Sequence, residues 1–280
     1  QKTVLLMLSE NRAEESHLSG ASAIHLSPQS LRYSVDLDLF HDSVKAVAEA
    51  FARDRAKLEE NGFSVNLELS QPGFIRAVTR RHPGEAILID WAHDSAWRFM
   101  PTVALEGIGH VLHPVDLAIN KVLALSGRDE ARDWVDILYL DKHYVPLGTL
   151  VWAASGKDPG LNPEMLLELL QRKGKIQQRD LDRLSFASPV NLNELQNQWI
   201  KSLNETRSYI CARPASEAGH LYLEPRSGRF FSPREGDDYQ LHAPQSGGVL
   251  PRLGDSASVV QSQEIKAQLE HFFGRRLLND

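Results

Sequence analysis

The sequence lacks several features that would define its setting or its chemistry. It has one cysteine, Cys211, so it can form no intrachain disulfide, and a reducing compartment is the expected setting. It has no run of about 18 apolar residues, and VLLML at 4–8 is too short and too weakly flanked for a signal peptide. It also lacks an excess of positive charge, because its formal net charge is −6. We therefore expect a soluble cytoplasmic protein without a membrane partner, in which any nucleic-acid contact needs a local basic patch.

The chain also lacks internal repeats and low-complexity segments, so periodicity and turn residues are the main guide to its organisation. Within residues 1–110 they predict a helix at about 4–16, a short helix at 22–27, a strand at 33–40, a helix from Asp42 or Ser43 to near Gly62, and strands at 64–70, 74–80 and 86–92. One helix followed by strands that hairpins connect favours a mixed sheet over a doubly wound one.

The later part of the chain is predicted to be mainly helical and then irregular. Helices are predicted at 114–125, at 129–140, at 163–172, from Asn191 or Asn193 onward, and at about 262–278, with a hairpin at 221–231. We therefore predict an α+β fold whose mixed β-sheet, flanked by helices, forms a core at 1–110. A helical unit at 111–205 and a small β-containing C-terminal segment with a terminal helix at 206–280 follow it.

Two carboxylates lie one residue apart in the strand RYSVDLDLF at 32–40. Because side chains alternate along a strand, Asp36 and Asp38 share one face while Leu37 and Leu39 line the other. The two Cα atoms lie about 6 to 7 Å apart, so the like charges repel and need compensation. Mg²⁺, which takes one or two carboxylates, waters and phosphate oxygens, is the candidate that these residues suggest.

A third carboxylate, Asp90, follows ILI in the strand predicted at 86–92. An unpaired charge in such an apolar strand would cost several kcal/mol, so Asp90 needs a partner. Asp90 either caps the turn after the strand or completes an acidic cluster with Asp36 and Asp38.

Small residues precede the strand that carries the acidic pair, in the turn SGAS at 19–22. Such residues let backbone N–H groups approach phosphate oxygens, and a helix that begins there adds its positive end. Gly20 and Ser22 are therefore candidate triphosphate contacts, although the same pattern also occurs in ordinary turns.

Lys121 lies in the apolar stretch LAINKVLAL, on or beside the buried face of its predicted helix. A lysine at such a position either extends its ammonium group to solvent or points it into an acidic, phosphate-binding cleft. In the next predicted helix, Arg132 and Asp136 have the spacing of an i, i+4 pair, and Asp133 lies on the same polar side. A charged face exposed to solvent would also explain these three residues.

Together these segments resemble the polymerase-β-like nucleotidyltransferase superfamily, and more closely its AbiEii toxin type, over roughly residues 17–142. The turn and helix of that family are matched by Gly20, Ala21, Ser22, Ala23 and Ile24, and its R-x-S-x-D-x-D-x-F strand by Arg32, Ser34, Asp36, Asp38 and Phe40. Its helix pair is matched by Asp116, Leu117, Lys121, Ala124 and Leu125, then by Arg132, Asp133 and Asp136. Ala21 departs from the family pattern, which has a second glycine there.

The resemblance implies a nucleotidyltransferase core at 1–110 that transfers NMP from an NTP to a hydroxyl acceptor, plausibly RNA or tRNA, with an antitoxin protein as partner. It implies that Asp36, Asp38 and Asp90 hold Mg²⁺, in a site that would accommodate two metal ions, and that Asp90 accepts the hydroxyl proton. Lys121 and Asp136 would join these three as catalytic residues, and Gly20, Ser22, Arg32, Ser34 and Lys121 would bind the nucleotide.

Two other functions fit the same residues. The chain could modify a small hydroxyl substrate, as antibiotic nucleotidyltransferases do, or it could be a catalytically silent binding protein that keeps the fold. RAVTRRH at 76–82 is either a basic patch for RNA or a solvated strand edge. Trp91 and Trp97 are candidates to stack on a base or a sugar, and we expect at least one of them to lie in the core.

Overall fold

A computed structural model describes residues 1–27, 30–251 and 258–278, without the side chains of 258–264. It divides the chain into two compact units. The first comprises Gln1–His113, Gln245–Gly248 and Phe273–Asp280, and the second comprises Pro114–Pro244 and Val249–Phe272.

The strands in the described residues are β1 (Ser16–Ser19), β2 (Asp36–His41), β3 (Ser64–Gln71), β4 (Phe74–Arg80), β5 (Ile87–His93), β6 (Trp97–Arg98), β7 (Val103–Leu105), β8 (Gly109–Val111), β9 (Leu221–Leu223), β10 (Gln240–His242) and β11 (Gln245–Ser246). The helices are α1 (Lys2–Leu8), α2 (Gly20–Ile24), α3 (Val44–Glu60), α4 (Pro114–Gly127), α5 (Ala131–His143), α6 (Leu147–Ala154), α7 (Pro163–Arg172), α8 (Gln178–Leu181), α9 (Leu192–Cys211) and α10 (Ser258–Phe273). Short 3-10 turns span Ser9–Asn11 and Ala215–Glu217.

The first unit is built on a sheet in the order β3-β4-β5-β2-β1-β8-β7. β2 pairs with β5 and β1 with β8 in parallel, whereas the other neighbours in this sheet are antiparallel. The predicted mixed sheet and the α+β class are therefore confirmed. β6 pairs with β11 in this unit, and β9 pairs with β10 in the second unit.

Helix α3 covers one face of this sheet, and hydrogen bonds to a buried carboxylate on the helix hold the two together. Ser43 caps the helix as predicted, its hydroxyl accepting a hydrogen bond from the N–H of Ala46. Asp54, fully buried on α3, accepts hydrogen bonds from Arg12 at 2.7 and 2.8 Å and from Trp91 Nε1 at 2.8 Å. The Trp91 side is therefore the packed face of the sheet, and the acidic residues that alternate with it lie on the opposite face.

The N-terminal prediction is partly wrong. The helix predicted at 4–16 ends at Leu8, and Ser16–Ser19 is the strand β1, which pairs with β2 and β8. The helix predicted at 22–27 begins at Gly20 and ends at Ile24. Non-local hydrogen bonds to two neighbouring strands outweigh the local pattern here, because strand preference depends strongly on tertiary context.

The second unit is mainly helical, as the sequence predicts for that part of the chain. Asn162 caps α7 by accepting a bond from Met165 N–H at 2.8 Å, and Asn191 rather than Asn193 caps α9. The sequence pattern missed α6, which is apolar on all sides and buried along its whole length, so it has no polar face to mark its period.

The C-terminal predictions hold only in outline. Leu221–Leu223 pairs with β10, while Leu223 and Phe230 form an isolated bridge inside the predicted hairpin. The terminal helix begins and ends about a turn earlier than predicted, at Ser258–Phe273. None of the helices in the described residues is long and apolar enough to cross a membrane.

Two buried histidines of the first unit should make the protein sensitive to mild acid. Burial, helped by the charge of Arg98 for His17 and of Arg12 for His41, lowers the pKa of each to about 3. In the unfolded chain each titrates near 6.5, so below that pH the unfolded state binds more protons and is favoured. The free energy of unfolding should then fall by about 1.4 kcal/mol per pH unit per histidine between pH 6.5 and 3.

This pH dependence is measurable as thermal unfolding temperature at pH 7.0, 6.0 and 5.5. His41→Phe should remove roughly half of it, since phenylalanine fills similar space and does not titrate. His82→Gln, at an exposed histidine, serves as the control and should follow the wild-type curve. Parallel curves for the wild type and His41→Phe would show that folding does not lower the pKa of His41.

Candidate active site

The turn between β1 and α2 lies directly against the acidic strand. Gly20 has a φ of +58°, and a Cβ at this position would fall 2.1 Å from Oδ2 of Asp38. Only glycine therefore allows the backbone and this carboxylate to approach so closely. Ser22 links the same elements, since its hydroxyl donates to the carbonyl of Ser19 at 2.9 Å and accepts from the N–H of Asp38 at 3.2 Å.

The acidic pair projects from β2 as the alternation predicts. Leu37 and Leu39 are each 1% exposed, whereas Asp36 and Asp38 are half-buried on the opposite face. The hydroxyl of Ser34 donates to Oδ1 of Asp36 at 2.9 Å, which orients that carboxylate. Ser34 and Asp36, both predicted as site residues, are thus in direct contact.

A row of polar residues crosses the sheet at the level of Asp38. Strand register places Ser19 on β1 beside Asp38, Asp38 beside Asp90 on β5, and Asp90 beside Arg76 on β4. Adjacent strands lie about 4.8 Å apart, and residues in register point to the same face. The structure therefore brings the three predicted carboxylates to one face of two parallel strands.

Arg76 is the residue of this row that the sequence analysis assigned elsewhere, to the basic patch. Its Nε donates to Oδ1 of Asp90 at 2.7 Å, and its Nη2 donates to Oδ2 at 2.6 Å. These hydrogen bonds raise the pKa of Arg76 against the effect of burial, with further contributions from Asp90, Asp36 and Glu68. The two residues lie fourteen positions apart in the sequence and meet only because β4 and β5 pair in this register. No local sequence pattern therefore predicts the pair.

The second unit contains its own buried ionic cluster, between α4 and α5. Nζ of Lys121 lies 2.7 Å from Asp133 and 2.9 Å from Asp136, and Nε of Arg128 lies 2.7 Å from Asp133. Lys121 is only 8% exposed in its side chain, so it does not extend to solvent. Burial opposes its charge, but Asp136 and Asp133 outweigh burial and raise its pKa. The predicted residues Lys121 and Asp136 are thus in contact, and Arg128 is a member that sequence reasoning missed.

Comparison with known proteins identifies the family. The family model described as nucleotidyl transferase AbiEii toxin, type IV toxin–antitoxin system, matches residues 8–210, more than half of the chain. The chain belongs to this family. The predicted family and enzyme class, nucleotidyltransferase, are confirmed, and so is the toxin module at the level of the family. Curated protein sequences give no significant match.

Solved structures support the fold of this AbiEii-family enzyme. MenT4, a nucleotidyltransferase toxin from Mycobacterium tuberculosis, is 14% identical with a TM-score of 0.51, over 74% of this chain and 81% of that one. A candidate nucleotidyltransferase from H. pylori is 17% identical with a TM-score of 0.50, over 74% and 91% of the two chains. At these identities the likeness shows a shared fold.

Among the carboxylates of this face, the donor chemistry of Asp36 and Asp38 fits a magnesium ion better than that of Asp90 does. Asp36 and Asp38 offer carboxylate oxygens on one face, which is the donor chemistry that Mg²⁺ takes from protein while water and phosphate supply the rest. Both oxygens of Asp90 are already bonded to Arg76. Consistently, no three acidic, histidine or cysteine side chains in the described part of the chain are grouped as a metal site.

The sequence also predicted contacts to nucleotide or RNA from Arg32, from Trp91 and Trp97, and from the basic segment at 76–82. The surroundings of these residues in the structure differ. Arg32 is buried, and its Nη1 donates a hydrogen bond to the carbonyl oxygen of Tyr33 at 3.3 Å. Trp91 is fully buried and belongs to the core, as expected for one of the two tryptophans, whereas Trp97 is 44% exposed. In the basic segment at 76–82, Arg81 lies over the ring of Phe63 at 5.6 Å.

Replacing Lys121 should destabilise this AbiEii-family enzyme. Lys121→Met leaves Asp136 and part of Asp133 without the cation that compensates their burial, so the free energy of unfolding should fall by about 3 kcal/mol. Urea denaturation measures the change. Lys45→Met, which breaks an exposed pair with Glu49, is the control and should change stability by less than about 1 kcal/mol. Equal effects of the two substitutions would contradict the importance of the buried cluster.

Proposed function

We propose that this AbiEii-family enzyme transfers NMP from an NTP to a hydroxyl group of RNA such as tRNA, at the face formed by the β1–α2 turn and β2. The observation that carries the proposal is the approach of Gly20 to Asp38, beside a second carboxylate on the same face of the strand. This arrangement combines a backbone turn suited to phosphate with an oxygen donor set suited to Mg²⁺.

In this proposal the residues of the first unit bind and orient the reacting groups. Asp36 and Asp38 hold Mg²⁺, which when bound neutralises phosphate charge and lowers the pKa of the attacking hydroxyl. The turn at Gly20 and Ser22 receives the triphosphate, and Ser34 keeps Asp36 in place. The acceptor oxygen then attacks the α-phosphorus, the bond to the pyrophosphate oxygen breaks, and the acceptor proton passes to a site carboxylate or to water.

Roles for Arg32, Lys121 and Asp136 rest on the family resemblance. We assign Lys121 and Asp136 to nucleotide binding or orientation because they occupy the positions of the family motif and pair with each other while buried. Arg32 occupies the motif position that precedes the acidic strand, where a cation favours phosphate binding.

The partner and setting follow from the family description. A type IV toxin–antitoxin system implies a cognate antitoxin protein, and we propose a cytoplasmic setting in which NTP and RNA are both present. Arg80, Arg81 and His82 are exposed at the end of β4, and the two arginines provide a local positive charge for RNA, which the net charge of the chain does not.

The deciding experiment presents one enzyme with several acceptors. The protein, Mg²⁺ and each of four α-labelled NTPs are incubated with total RNA, with purified tRNA, with lysate protein and with small polyhydroxyl antibiotics. We expect label in RNA, and none with the matched variant Asp36→Asn/Asp38→Asn. Label only in a small molecule would replace the RNA acceptor, and transfer to no acceptor would favour a silent binding protein.

A further inference from the structure

Asp90 and Arg76 form the most closely matched ion pair of the site, and their geometry bears on what each does. Two parallel hydrogen bonds of 2.6 and 2.7 Å join the guanidinium to both carboxylate oxygens. Paired bonds of this kind are among the strongest that side chains make, and they fix the orientation of both partners. Asp90 is largely buried at this point, with 8% of its side chain exposed.

The pair limits what Asp90 can offer a metal ion. Direct ligation of Mg²⁺ needs a carboxylate oxygen at about 2.1 Å, and each oxygen of Asp90 already accepts a charge-assisted bond. A metal ion at Asp90 would have to share an oxygen that already accepts a bond from Arg76, and it would lie close to the positive charge of that guanidinium.

Arg76 keeps the capacity to bind a further anion. A guanidinium has five N–H donors, and the bonds to Asp90 use two of them. The side chain is 37% exposed, and its charge lies 5.5 Å from the centre of the Phe74 ring, which supports it from one side. Strand register places Arg76 two strands from Asp38, with Asp90 between them, and the charge of Asp36 contributes to the raised pKa of Arg76.

We propose that Asp90 does not ligate the metal ion in this chain but anchors Arg76, and that Arg76 binds the triphosphate of the NTP substrate. This inference rests on the proposed function. It separates two tasks along one row of the sheet: Asp36 and Asp38 hold the cation, and the Asp90–Arg76 pair presents fixed positive charge to phosphate. Asp90 is then a positioning residue, and the acceptor proton leaves by another route.

Metal binding tests the first half of this inference without any turnover. Mn²⁺, which accepts the same oxygen ligands, is titrated into the protein and its free fraction is followed by electron paramagnetic resonance. Asp90→Asn should bind Mn²⁺ within about threefold of the wild-type affinity, whereas Asp36→Asn should bind it at least about tenfold more weakly. If Asp90→Asn weakens Mn²⁺ binding as much as Asp36→Asn does, Asp90 is a metal ligand and the inference is wrong.

Nucleotide kinetics test the second half. Arg76→Gln should raise KM for the NTP by about tenfold or more with kcat changed by less than about threefold, since the lost bonds serve substrate binding. Arg76→Lys should recover part of the affinity because it keeps the charge. Arg55→Ala removes an exposed arginine of α3 in the same unit and serves as control, with KM unchanged. Unchanged KM in Arg76→Gln would overturn the triphosphate assignment.

Two checks keep the outcomes distinct. Each variant is compared with the wild type by circular dichroism and thermal unfolding. If Arg76→Gln does not fold, the double variant Arg76→Gln/Asp90→Asn carries the test, because it leaves no buried carboxylate without a cation. A rise of about tenfold in its KM for the NTP would then support the inference, and wild-type KM would contradict it. If neither Asp36→Asn nor Asp38→Asn affects Mn²⁺ binding or transfer, the proposed function itself fails, whatever Asp90 and Arg76 do.

Discussion

Replacing Asp38 with asparagine should lower the rate of nucleotidyl transfer by on the order of 10³-fold or more. Asp38 lies at the centre of the polar row, and the turn at Gly20 packs directly against its carboxylate. Asparagine keeps the shape of the side chain but removes its negative charge, so a divalent cation would lose one of its two proposed carboxylate ligands. Asp36→Asn should have a comparable effect, because the two carboxylates share one face of β2.

The same substitution should leave the fold intact. Asp36 and Asp38 repel each other in the metal-free protein, so neutralising one removes an unfavourable interaction. The backbone N–H of Asp38, which donates to the Ser22 hydroxyl, is unaffected by the change. We therefore expect an unfolding temperature within a few degrees of wild type.

Single-turnover incorporation of labelled NMP, with circular dichroism as a check on folding, measures both effects. Glu68→Gln is the matched control, since it neutralises an exposed carboxylate of β3 in the same sheet and should transfer at the wild-type rate. If Asp38→Asn transfers NMP at the wild-type rate, this face is not the active site.

The parts of the structure that the sequence predicted are those that depend on local rules. Leu37 and Leu39 alternate with Asp36 and Asp38 because a strand has a period of two, and the burial pattern follows it. Ser43 and Asn162 are good N-caps wherever a helix follows, and both accept the expected hydrogen bond. The acidic face of β2 was predictable for the same reason.

The parts that the sequence did not predict depend on which strands become neighbours. Ser16–Ser19 becomes a strand only because β2 and β8 pair with it on either side. Arg76 looked like one member of a basic run, and only the register of β4 against β5 places it opposite Asp90. A shift of that register by one residue would turn Arg76 to the other face of the sheet. Site residues far apart in sequence therefore needed the structure.

Gly20→Ala should reduce nucleotidyl transfer by about 10² to 10³-fold, although it removes no side chain. The new Cβ would lie 2.1 Å from the Asp38 carboxylate, so this side chain or the turn must move. Such a shift misplaces one of the two proposed metal ligands while preserving every functional group of the site. The left-handed φ of Gly20 adds a further cost of about 1 kcal/mol for any residue with a Cβ.

Backbone strain and crowding can be separated with a second glycine. Gly62 also has a positive φ, of +80°, but a Cβ there would meet nothing within 4 Å. Gly62→Ala should therefore lose a similar amount of stability and keep wild-type activity, as measured by thermal unfolding and by single-turnover transfer. Equal activity losses in the two variants would mean that general destabilisation explains the effect of Gly20→Ala.

The link between Gly20 and Asp38 can be tested by combining their substitutions. If Gly20→Ala acts by displacing the Asp38 carboxylate, it has little left to disturb once asparagine has replaced that group. The double variant Gly20→Ala/Asp38→Asn should then transfer at about the rate of Asp38→Asn alone, a clear departure from additivity. Multiplicative losses would instead show that the turn serves the reaction independently, for example through its own contacts with the triphosphate.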